Sequence, residues 1–212
     1  RSVDQFIVLN DELRNELVNI GVDLKKINII PNGIEIKTEF KVRNNEQKMV
    51  FSIIGEVNDR KGVIESIEVI SKYQKQYFIN VAGPQRDRKY QRRLEQLLKR
   101  KNIPNKIWGE VGSEAIAAIY ADTDILVTSS KREGMPNVVL EALSYGIPVI
   151  ASPIEAHKNL IKSGYNGYII DDYFDISAFE TQYSRLSRNA QESILQYDIS
   201  DVSDSYFKLI TG

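Results

Sequence analysis

The fold is decided by residues 124–151, DILVTSSKREGMPNVVLEALSYGIPVIA, because this stretch contains a complete strand–helix–strand unit. The apolar runs Asp124–Thr128 and Pro148–Ala151 predict two buried strands, and Gly146 is placed to end the helix between them. Such a unit is the repeat of a parallel sheet, and ligands of open parallel sheets bind beyond the carboxyl ends of the strands. We therefore expect residues 129–137 to lie at a binding site.

Two carboxylates, Glu133 and Glu141, lie on either side of the start of this helix. Carboxylates accept hydrogen bonds from hydroxyls, Gly134 lets backbone approach a ligand closely, and Pro136 suits a first helical turn whose free amides bind anions. The pattern suits a nucleotide sugar, with Glu133 on the donor sugar and Glu141 on the ribose. The alternative is that Glu133 only complements the helix dipole and Glu141 is a solvated helix residue.

Residues 129–143, SSKREGMPNVVLEAL, and residues 146–152, GIPVIAS, resemble the signature of family 4 glycosyltransferases of the GT-B fold. Residues 30–35, IPNGIE, are similar to the interdomain segment of that family, and Asn166–Tyr168 to its late turn. The resemblance implies an α/β fold with a Rossmann-like doubly wound parallel sheet, the C-terminal half of a GT-B enzyme, which binds the nucleotide-sugar donor. It also implies retaining transfer, in which the acceptor hydroxyl attacks on the leaving-group face and a donor phosphate oxygen acts as base.

The chain has 212 residues, which is short for an enzyme with two Rossmann-like halves. By resemblance, residues 1–30 are the last strand–helix pair of a mostly absent N-terminal acceptor domain. Residues 31–196 are then the donor-binding domain, and residues 197–212 form a helix that crosses back to the N-terminal domain. We expect the chain to be a fragment that transfers no sugar alone, because transfer needs an interdomain cleft that excludes water and places the acceptor.

Outside the signature, apolar runs alternate with segments of helical periodicity, which predicts a parallel α/β arrangement. Further strands are predicted at residues 4–9, 49–54, 77–82 and 106–108. Helices are predicted at residues 11–20, 61–72, 88–101, 113–120 with a serine cap, and 198–210, and a loop is predicted at residues 41–48.

The turn that follows the first predicted strand of the donor domain carries candidate phosphate ligands. Glycosyl transfer expels a diphosphate, so the protein must stabilise negative charge on the leaving group. By resemblance Lys61 binds the phosphates and, with Glu133, is catalytic, but Glu56 stands where the family has an arginine. Two alternatives remain open: Arg60 supplies the missing cation, or Glu56 binds a sugar amine or hydroxyl. Binding of the donor sugar and diphosphate is assigned to Lys61, Arg60, Glu133, Gly134, Met135, Pro136 and Asn137.

The nucleobase is expected at residues 108–113, WGEVGS, which resemble the family's base-contact segment. Val111 and Ser113 are the predicted contacts, and a UDP-sugar is the first expectation for the donor. His157 is the only histidine, and a structural role is predicted for it, because a lone histidine makes no metal site. We predict neither a metal nor a cofactor besides the nucleotide-sugar substrate.

The composition excludes several function classes. A net charge of −1 argues against nucleic acid as a partner, and the absence of cysteine excludes disulfides and thiolate chemistry. No apolar run approaches the roughly 18 residues of a membrane span. The expected location is the cytoplasm, at the inner face of the cell membrane if the basic run of residues 86–101 contacts anionic lipid or a lipid-diphosphate acceptor. The alternative for this run is a helix that packs its apolar stripe on the sheet and leaves its charges in water.

Three functions compete. The first is the donor-binding part of a retaining glycosyltransferase that acts on a glycan or lipid-linked acceptor in surface polysaccharide or glycolipid synthesis. The second, which Glu56 favours, is a non-catalytic nucleotide-sugar-binding or scaffold module that partners another chain. The third is a sugar-nucleotide epimerase of the same architecture, but those enzymes lack the pair of glutamates at this spacing.

Overall fold

The computed structural model of the chain describes residues 3–37, 48–171 and 175–211, which form a two-stranded and a six-stranded parallel sheet with flanking helices. The strands are β1 (Phe6–Val8), β2 (Ile27–Ile29), β3 (Met49–Ile54), β4 (Tyr77–Ala82), β5 (Asn105–Gly109), β6 (Ile125–Thr128), β7 (Val149–Ala151) and β8 (Gly167–Ile169). The helices are α1 (Asp11–Asn19), α2 (Val63–Ile70), α3 (Arg88–Arg100), α4 (Ser113–Asp122), α5 (Asn137–Ser144), α6 (Glu155–Lys158), α7 (Ala178–Glu192) and α8 (Ile199–Thr211).

The large sheet has the order β5-β4-β3-β6-β7-β8, and all of its strands are parallel. This order reverses direction between β3 and β6, where Phe51 pairs with Ile125 and Ser52 with Leu126. The predicted Rossmann-like, doubly wound sheet is therefore confirmed. The reversal is the switch point of the sheet, where crossovers leave to opposite faces and open a crevice for ligands.

The core lies on both faces of this sheet. On one face α2 and α3 bury their apolar stripes, and on the other α5 packs against β7 and α7. The apolar stripe of α3 is buried, as expected if the basic run is a helix that packs on the sheet, while its basic residues remain at the surface. The buried residues of this stripe are Tyr90, Leu94, Leu97 and Leu98.

Three predictions of local structure were wrong. The second helix begins at Val63 rather than at Lys61, because Gly62 has a left-handed backbone (φ 62°) that an α-helix excludes. Lys61 therefore lies on the turn before the helix. The helix α4 begins at Ser113, but its N-cap is Gly112 and no side chain caps it. The expected late turn at Asn166–Tyr168 holds for Asn166 only, because the turn covers residues 164–166 and Gly167 and Tyr168 belong to β8, which pairs with β7.

The end of α5 agrees with the prediction. Gly146 has a φ of 67°, its amide donates to the Leu143 carbonyl at 2.9 Å, and the Ile147 amide donates to the Ala142 carbonyl at 2.9 Å. This pair of bonds is a Schellman motif, which stops a helix at a glycine. It returns the chain to the sheet after about two turns, and Glu141 lies in the second of these turns.

The first described residues form a separate small unit of β1, α1 and β2, which we call the N-terminal unit. Asn10 caps α1, since its side chain accepts a hydrogen bond from the Leu13 amide at 2.9 Å. The segment after β2 joins the C-terminal part of the chain, because the Ile34 carbonyl accepts from the Ile199 amide at 3.0 Å. The predicted loop at residues 41–48 lies outside the described residues apart from Lys48.

Candidate active site

Two loops meet at the switch point: residues 55–62 after β3 and residues 129–136 after β6. They are packed so closely that a Cβ on Gly62 would lie 2.1 Å from the Ser129 carbonyl oxygen. The amide of Lys131 also donates to a backbone carbonyl of the first loop at 2.9 Å. Only glycine fits this contact, so the glycine at the start of α2 allows the two loops to form one continuous surface.

The closest polar contact across this surface joins two of the predicted site residues. Lys61 Nζ lies 2.5 Å from Glu133 Oε1, and the two side chains are only 21% and 10% exposed. The backbone of Lys61 is held as well, because its amide donates to Asn58 Oδ1 at 2.9 Å. An ion pair this buried is screened little by salt. The structure thus brings together the predicted phosphate ligand and the predicted sugar ligand.

The start of α5 lies directly beyond Glu133. Its N-cap is Pro136, one residue before the helix begins, and the Pro136 carbonyl accepts from the Val139 amide at 2.9 Å. The amides of Asn137 and Val138 precede this first bond and have no acceptor within the helix. They carry the positive end of the helix dipole, which makes this point suited to an anion beside the Lys61 ammonium.

Glu141, the predicted ribose ligand, has a different partner. The Tyr120 hydroxyl donates to Glu141 Oε2 at 2.7 Å, and the tyrosine ring stacks on Tyr145 with centroids 5.1 Å apart. Burial raises the pKa of Tyr120 well above its usual value, and the negative charge of Glu141 raises it further. Tyr120 is therefore a neutral donor that fixes one carboxylate oxygen of Glu141.

The predicted base contacts lie further along the same edge of the sheet. Val111 is half-buried and Ser113 is exposed, and both follow β5, two strands away from β3. The Gly83 amide donates to the Gly109 carbonyl at 2.8 Å, so the ends of β4 and β5 are joined. These residues therefore lie at the edge of the sheet formed by the carboxyl ends of its strands, two strands away from the strand that leads to Lys61.

The turn that lacks the family arginine contains a loose ion pair. Arg60 Nη2 lies 3.9 Å from Glu56 Oε2, and the Arg60 side chain is half exposed. Arg60 Nη1 also lies 3.5 Å from the Arg132 carbonyl oxygen. Exposed pairs of this length contribute little to stability. Neither side chain is held firmly, so both alternatives for this turn stay predictions.

His157 is fully buried beneath the site. Its Nδ1 lies 3.0 Å from the Ser152 carbonyl oxygen, whereas its Nε2 has no hydrogen-bond partner among the described residues. Burial lowers the pKa of His157. The charge of Glu133 raises this pKa and the charge of Lys61 lowers it, both by smaller amounts than burial does. This geometry agrees with the structural role predicted for it, as a neutral side chain packed behind the ion pair.

Two site residues were missed by the sequence analysis. Asn10 Nδ2 donates to the Gly134 carbonyl at 2.7 Å, and Asn32 Nδ2 donates to Asn137 Oδ1 at 2.6 Å. Beside these contacts a cavity of about 390 Å³ separates the N-terminal unit from α6. Each contact joins residues more than a hundred positions apart, and no signal in a single sequence indicates such a pairing.

Within the described residues there is neither a cluster of metal ligands nor a helix that could span a membrane. No group of three or more histidine, cysteine, aspartate or glutamate side chains is arranged to hold a metal ion within residues 3–37, 48–171 and 175–211. In the same ranges, no helix combines the length and the apolar character that crossing a membrane requires. The expectation that no metal is needed stays a prediction.

Comparison with known proteins gives a family match and consistent relatives. The family model described as glycosyl transferases group 1 matches residues 35–196. The lipopolysaccharide 1,6-galactosyltransferase of Escherichia coli is 25% identical over 190 residues, which are 84% of this chain and 51% of that protein. The UDP-Gal:alpha-D-GlcNAc-diphosphoundecaprenol alpha-1,3-galactosyltransferase of Escherichia coli is 27% identical over 204 residues, which are 82% of this chain and 49% of that protein. The chain thus spans about half the length of these relatives.

A solved structure supports the fold. The crystal structure of HepE from Anabaena in complex with UDP-glucose superimposes with a TM-score of 0.85 at 17% identity. The superposition covers 100% of this chain and 64% of that one. At this identity the likeness shows the fold alone, and it agrees with the strand order described above.

Proposed function

We propose that this chain, which belongs to the glycosyl transferases group 1 family, is the C-terminal donor-binding part of a retaining family 4 glycosyltransferase. The observation that carries the proposal is the Lys61–Glu133 ion pair at the switch point, with its 2.5 Å separation and its position beside the start of α5. A cation, free amides and a carboxylate meet there in a partly buried crevice. These are the groups that a sugar diphosphate requires.

The free and bound states differ in the partner of Lys61. In the free chain Lys61 and Glu133 neutralise each other. A diphosphate offers Lys61 a more highly charged partner, and Glu133 then becomes available to accept hydrogen bonds from the donor sugar. We assign residues Gly134–Asn137 to the sugar and diphosphate, with the N–H groups of Gly134, Met135 and Asn137 as donors, since Pro136 has none, and Glu141 to the ribose. Further along the edge we assign Val111 and Ser113 to the base, with Arg60 as a second phosphate ligand.

Transfer would break the bond between the sugar anomeric carbon and the diphosphate oxygen and form a bond to the acceptor oxygen on the same face. The acceptor proton would pass to a donor phosphate oxygen. The negative charge that develops on the diphosphate is the largest demand on the protein, and Lys61 with the amides at the start of α5 would stabilise it. No group of the chain is required as a base in this scheme.

The donor and acceptor classes are proposed from the relatives. One relative is named for UDP-Gal as donor and for a sugar on diphosphoundecaprenol as acceptor, and another for lipopolysaccharide. We therefore propose a UDP-sugar as donor and a glycan or lipid-linked acceptor, in the synthesis of surface polysaccharide or glycolipid. A cytoplasmic position at the inner face of the membrane follows from that acceptor. The surface of α3 could meet anionic lipid only through its charges, because its apolar stripe is buried.

The proposed domain division rests on exposed apolar side chains. Ile7 and Ile29 of the N-terminal unit are 43% and 37% exposed, and Phe207 and Ile210 of α8 are 69% and 79% exposed. A surface on which several large apolar side chains are exposed is usually covered by another protein or domain. We propose that residues 1–30 and 197–212 belong with an acceptor domain that covers these faces, and that transfer requires this partner.

Titration calorimetry tests the proposal. The chain is titrated with UDP, GDP and ADP, and then with UDP-glucose and UDP-galactose. Saturable binding of UDP, tighter than binding of the other two nucleotides, is expected. Trp108 is the only tryptophan and lies in the predicted base segment, so its fluorescence gives a second readout. If no nucleotide binds by either readout, the proposal is wrong.

A non-catalytic module remains the second candidate, and Glu56 in place of the family arginine favours it. Its carboxylate, 3.9 Å from Arg60, adds negative charge to the turn that would face the diphosphate. The variant Glu133→Gln, made in the enzyme that contains this chain, distinguishes the two candidates by its turnover. A catalytic role requires turnover to collapse, whereas a scaffold would keep it.

A further inference from the structure

We infer that Asn10 and Asn32 are positioning residues that hold the donor loop, defined as Gly134–Asn137, in the shape that receives the sugar end of the donor. The inference rests on the proposed function of this loop. Neither asparagine belongs to the signature of residues 129–152; Asn10 lies before the donor domain in the chain, and Asn32 lies at its start. They would link the docking of the N-terminal unit to the affinity for the donor.

Three contacts hold the donor loop along its length. At its first residue, the Gly134 carbonyl accepts from Asn10 Nδ2 at 2.7 Å. In its middle, the Asn32 amide lies 3.2 Å from Met135 Sδ. At its last residue, Asn137 Oδ1 accepts from Asn32 Nδ2 at 2.6 Å. Three of the four residues of the loop are thus held by donors from one direction, the side of the N-terminal unit.

Packing alone does not fix the shape of this loop. Gly134 is exposed, and within the described part of the chain no atom outside Gly134 and its two chain neighbours lies within 4 Å of the point where a Cβ would stand. A glycine without neighbours has a wide choice of backbone conformations. The hydrogen bond from Asn10 removes that choice, because it fixes the direction of the Gly134 carbonyl.

The direction of this carbonyl determines the direction of the next amide. A trans peptide is planar, and its N–H points opposite to its C=O. With the Gly134 carbonyl turned to Asn10, the Met135 N–H is turned away from the N-terminal unit. There it can donate to the sugar or the adjoining phosphate, beside Glu133. Loss of either asparagine would therefore reduce the affinity for the sugar end and leave the nucleoside end unchanged.

The test uses two variants and a matched control. Asn10→Ser keeps a side-chain oxygen that caps α1 but is too short to reach Gly134. Asn32→Ala removes the other side-chain contact. The control is Asn28→Ala, since Asn28 Nδ2 donates to Gln5 Oε1 at 2.8 Å in the N-terminal unit, away from the loop.

Calorimetry measures the affinity of each variant for UDP and for the UDP-hexose that the unaltered chain binds best. The ratio of the two affinities should fall about 3- to 10-fold in Asn10→Ser and Asn32→Ala, the effect of one neutral hydrogen bond, and stay unchanged in Asn28→Ala. A merely structural role would lower both affinities by the same factor and would also lower the melting temperature. An unchanged ratio in both variants, or an equal loss for UDP and the UDP-hexose, overturns the inference.

A second measurement separates this inference from the proposed function. Without ligand, amide hydrogen exchange in residues 131–140 should accelerate about 3- to 10-fold in Asn10→Ser and Asn32→Ala but not in Asn28→Ala. If the unaltered chain binds no nucleotide, the proposed function fails, and the exchange rates still decide whether the asparagines hold the loop. Equal exchange in all variants contradicts the inference whatever the chain binds.

Discussion

The two glutamates at the start of α5 have opposite kinds of partner. Glu133 lies on a loop and faces a charged side chain, with Lys61 Nζ at 2.5 Å. Glu141 lies within the helix and faces a neutral one, with the Tyr120 hydroxyl at 2.7 Å. Lys61 is partly exposed, whereas Tyr120 is fully buried and stacked on a second ring.

This difference shows how one helix start can contain an exchangeable contact and a fixed one. A lysine on a flexible stem can leave Glu133 for a diphosphate, and the exchange replaces one charge pair by another. A buried tyrosine whose pKa is raised by burial remains neutral and in place, so Glu141 keeps its orientation before and after binding. We expect the sugar and diphosphate side to rearrange and the ribose side to be preformed.

The largest effect is expected from Lys61→Met. The variant removes the cation and leaves the Glu133 carboxylate without its partner beside the diphosphate, so the affinity for UDP should fall on the order of 100-fold. Calorimetry measures this. The control is Lys131→Met, because Lys131 lies on the neighbouring loop but is 52% exposed and pairs with Asp59 at 2.6 Å. Equal losses in the two variants would show that general charge, rather than the exchangeable pair, binds the nucleotide.

A smaller effect is expected on the ribose side from Glu141→Ala. Loss of a charged hydrogen bond to the ribose should weaken UDP binding about 10-fold. The unaltered chain should also bind 2′,3′-dideoxy-UDP about 10-fold more weakly than UDP, whereas Glu141→Ala should not distinguish the two ligands. A variant that still discriminates between them would move the ribose contact to another residue.

Tyr120→Phe sharpens the comparison further. It keeps the buried ring and removes the hydroxyl that orients Glu141, so UDP affinity should fall about 3-fold and the free energy of unfolding by about 1 kcal/mol. Urea denaturation and calorimetry measure the two quantities. A loss of stability with unchanged affinity would mean that Glu141 needs no fixed orientation.

The smallest effect concerns His157 and the pH dependence of stability. Burial lowers the pKa of His157 in the folded chain, so the unfolded chain binds a proton first as the pH falls. The free energy of unfolding should therefore decrease as the pH falls through about 6.5 toward the lower pKa of the folded state. In His157→Gln this part of the pH dependence should be absent. Denaturation of both proteins at pH 8, 6.5 and 5 checks it, and parallel curves would contradict it.

The sequence predicted the doubly wound sheet and most strand bounds, and it indicated the sheet edge at which we propose the site. These follow from apolar runs and from local signals such as Gly146, whose left-handed backbone ends α5 as expected. The start of α2 was misplaced because Gly62 was taken as helical, although it has a left-handed backbone and its contact with Ser129 leaves no room for a Cβ. That contact depends on a loop far along the chain, so local periodicity could not indicate it.

The contacts within the site show the same difference between what local sequence indicates and what depends on distant parts of the chain. The resemblance indicated Glu133 and Lys61 as site residues, but their pairing arises only when two loops from different crossovers meet at the switch point. The contacts of Asn10 and Asn32 with the donor loop depend on how the N-terminal unit docks, which no pattern in one sequence encodes. Residue types near a site were therefore predictable, whereas partners across separate elements were not.

A crystal structure of the chain with a bound UDP-sugar tests the central claim most directly. We predict that the diphosphate lies at the start of α5, with Lys61 Nζ within hydrogen-bond distance of a phosphate oxygen. Glu133 should contact a sugar hydroxyl, and Glu141 the ribose while it keeps its bond to Tyr120. A donor bound elsewhere, or a bound donor with both glutamates turned away from it, would contradict the account.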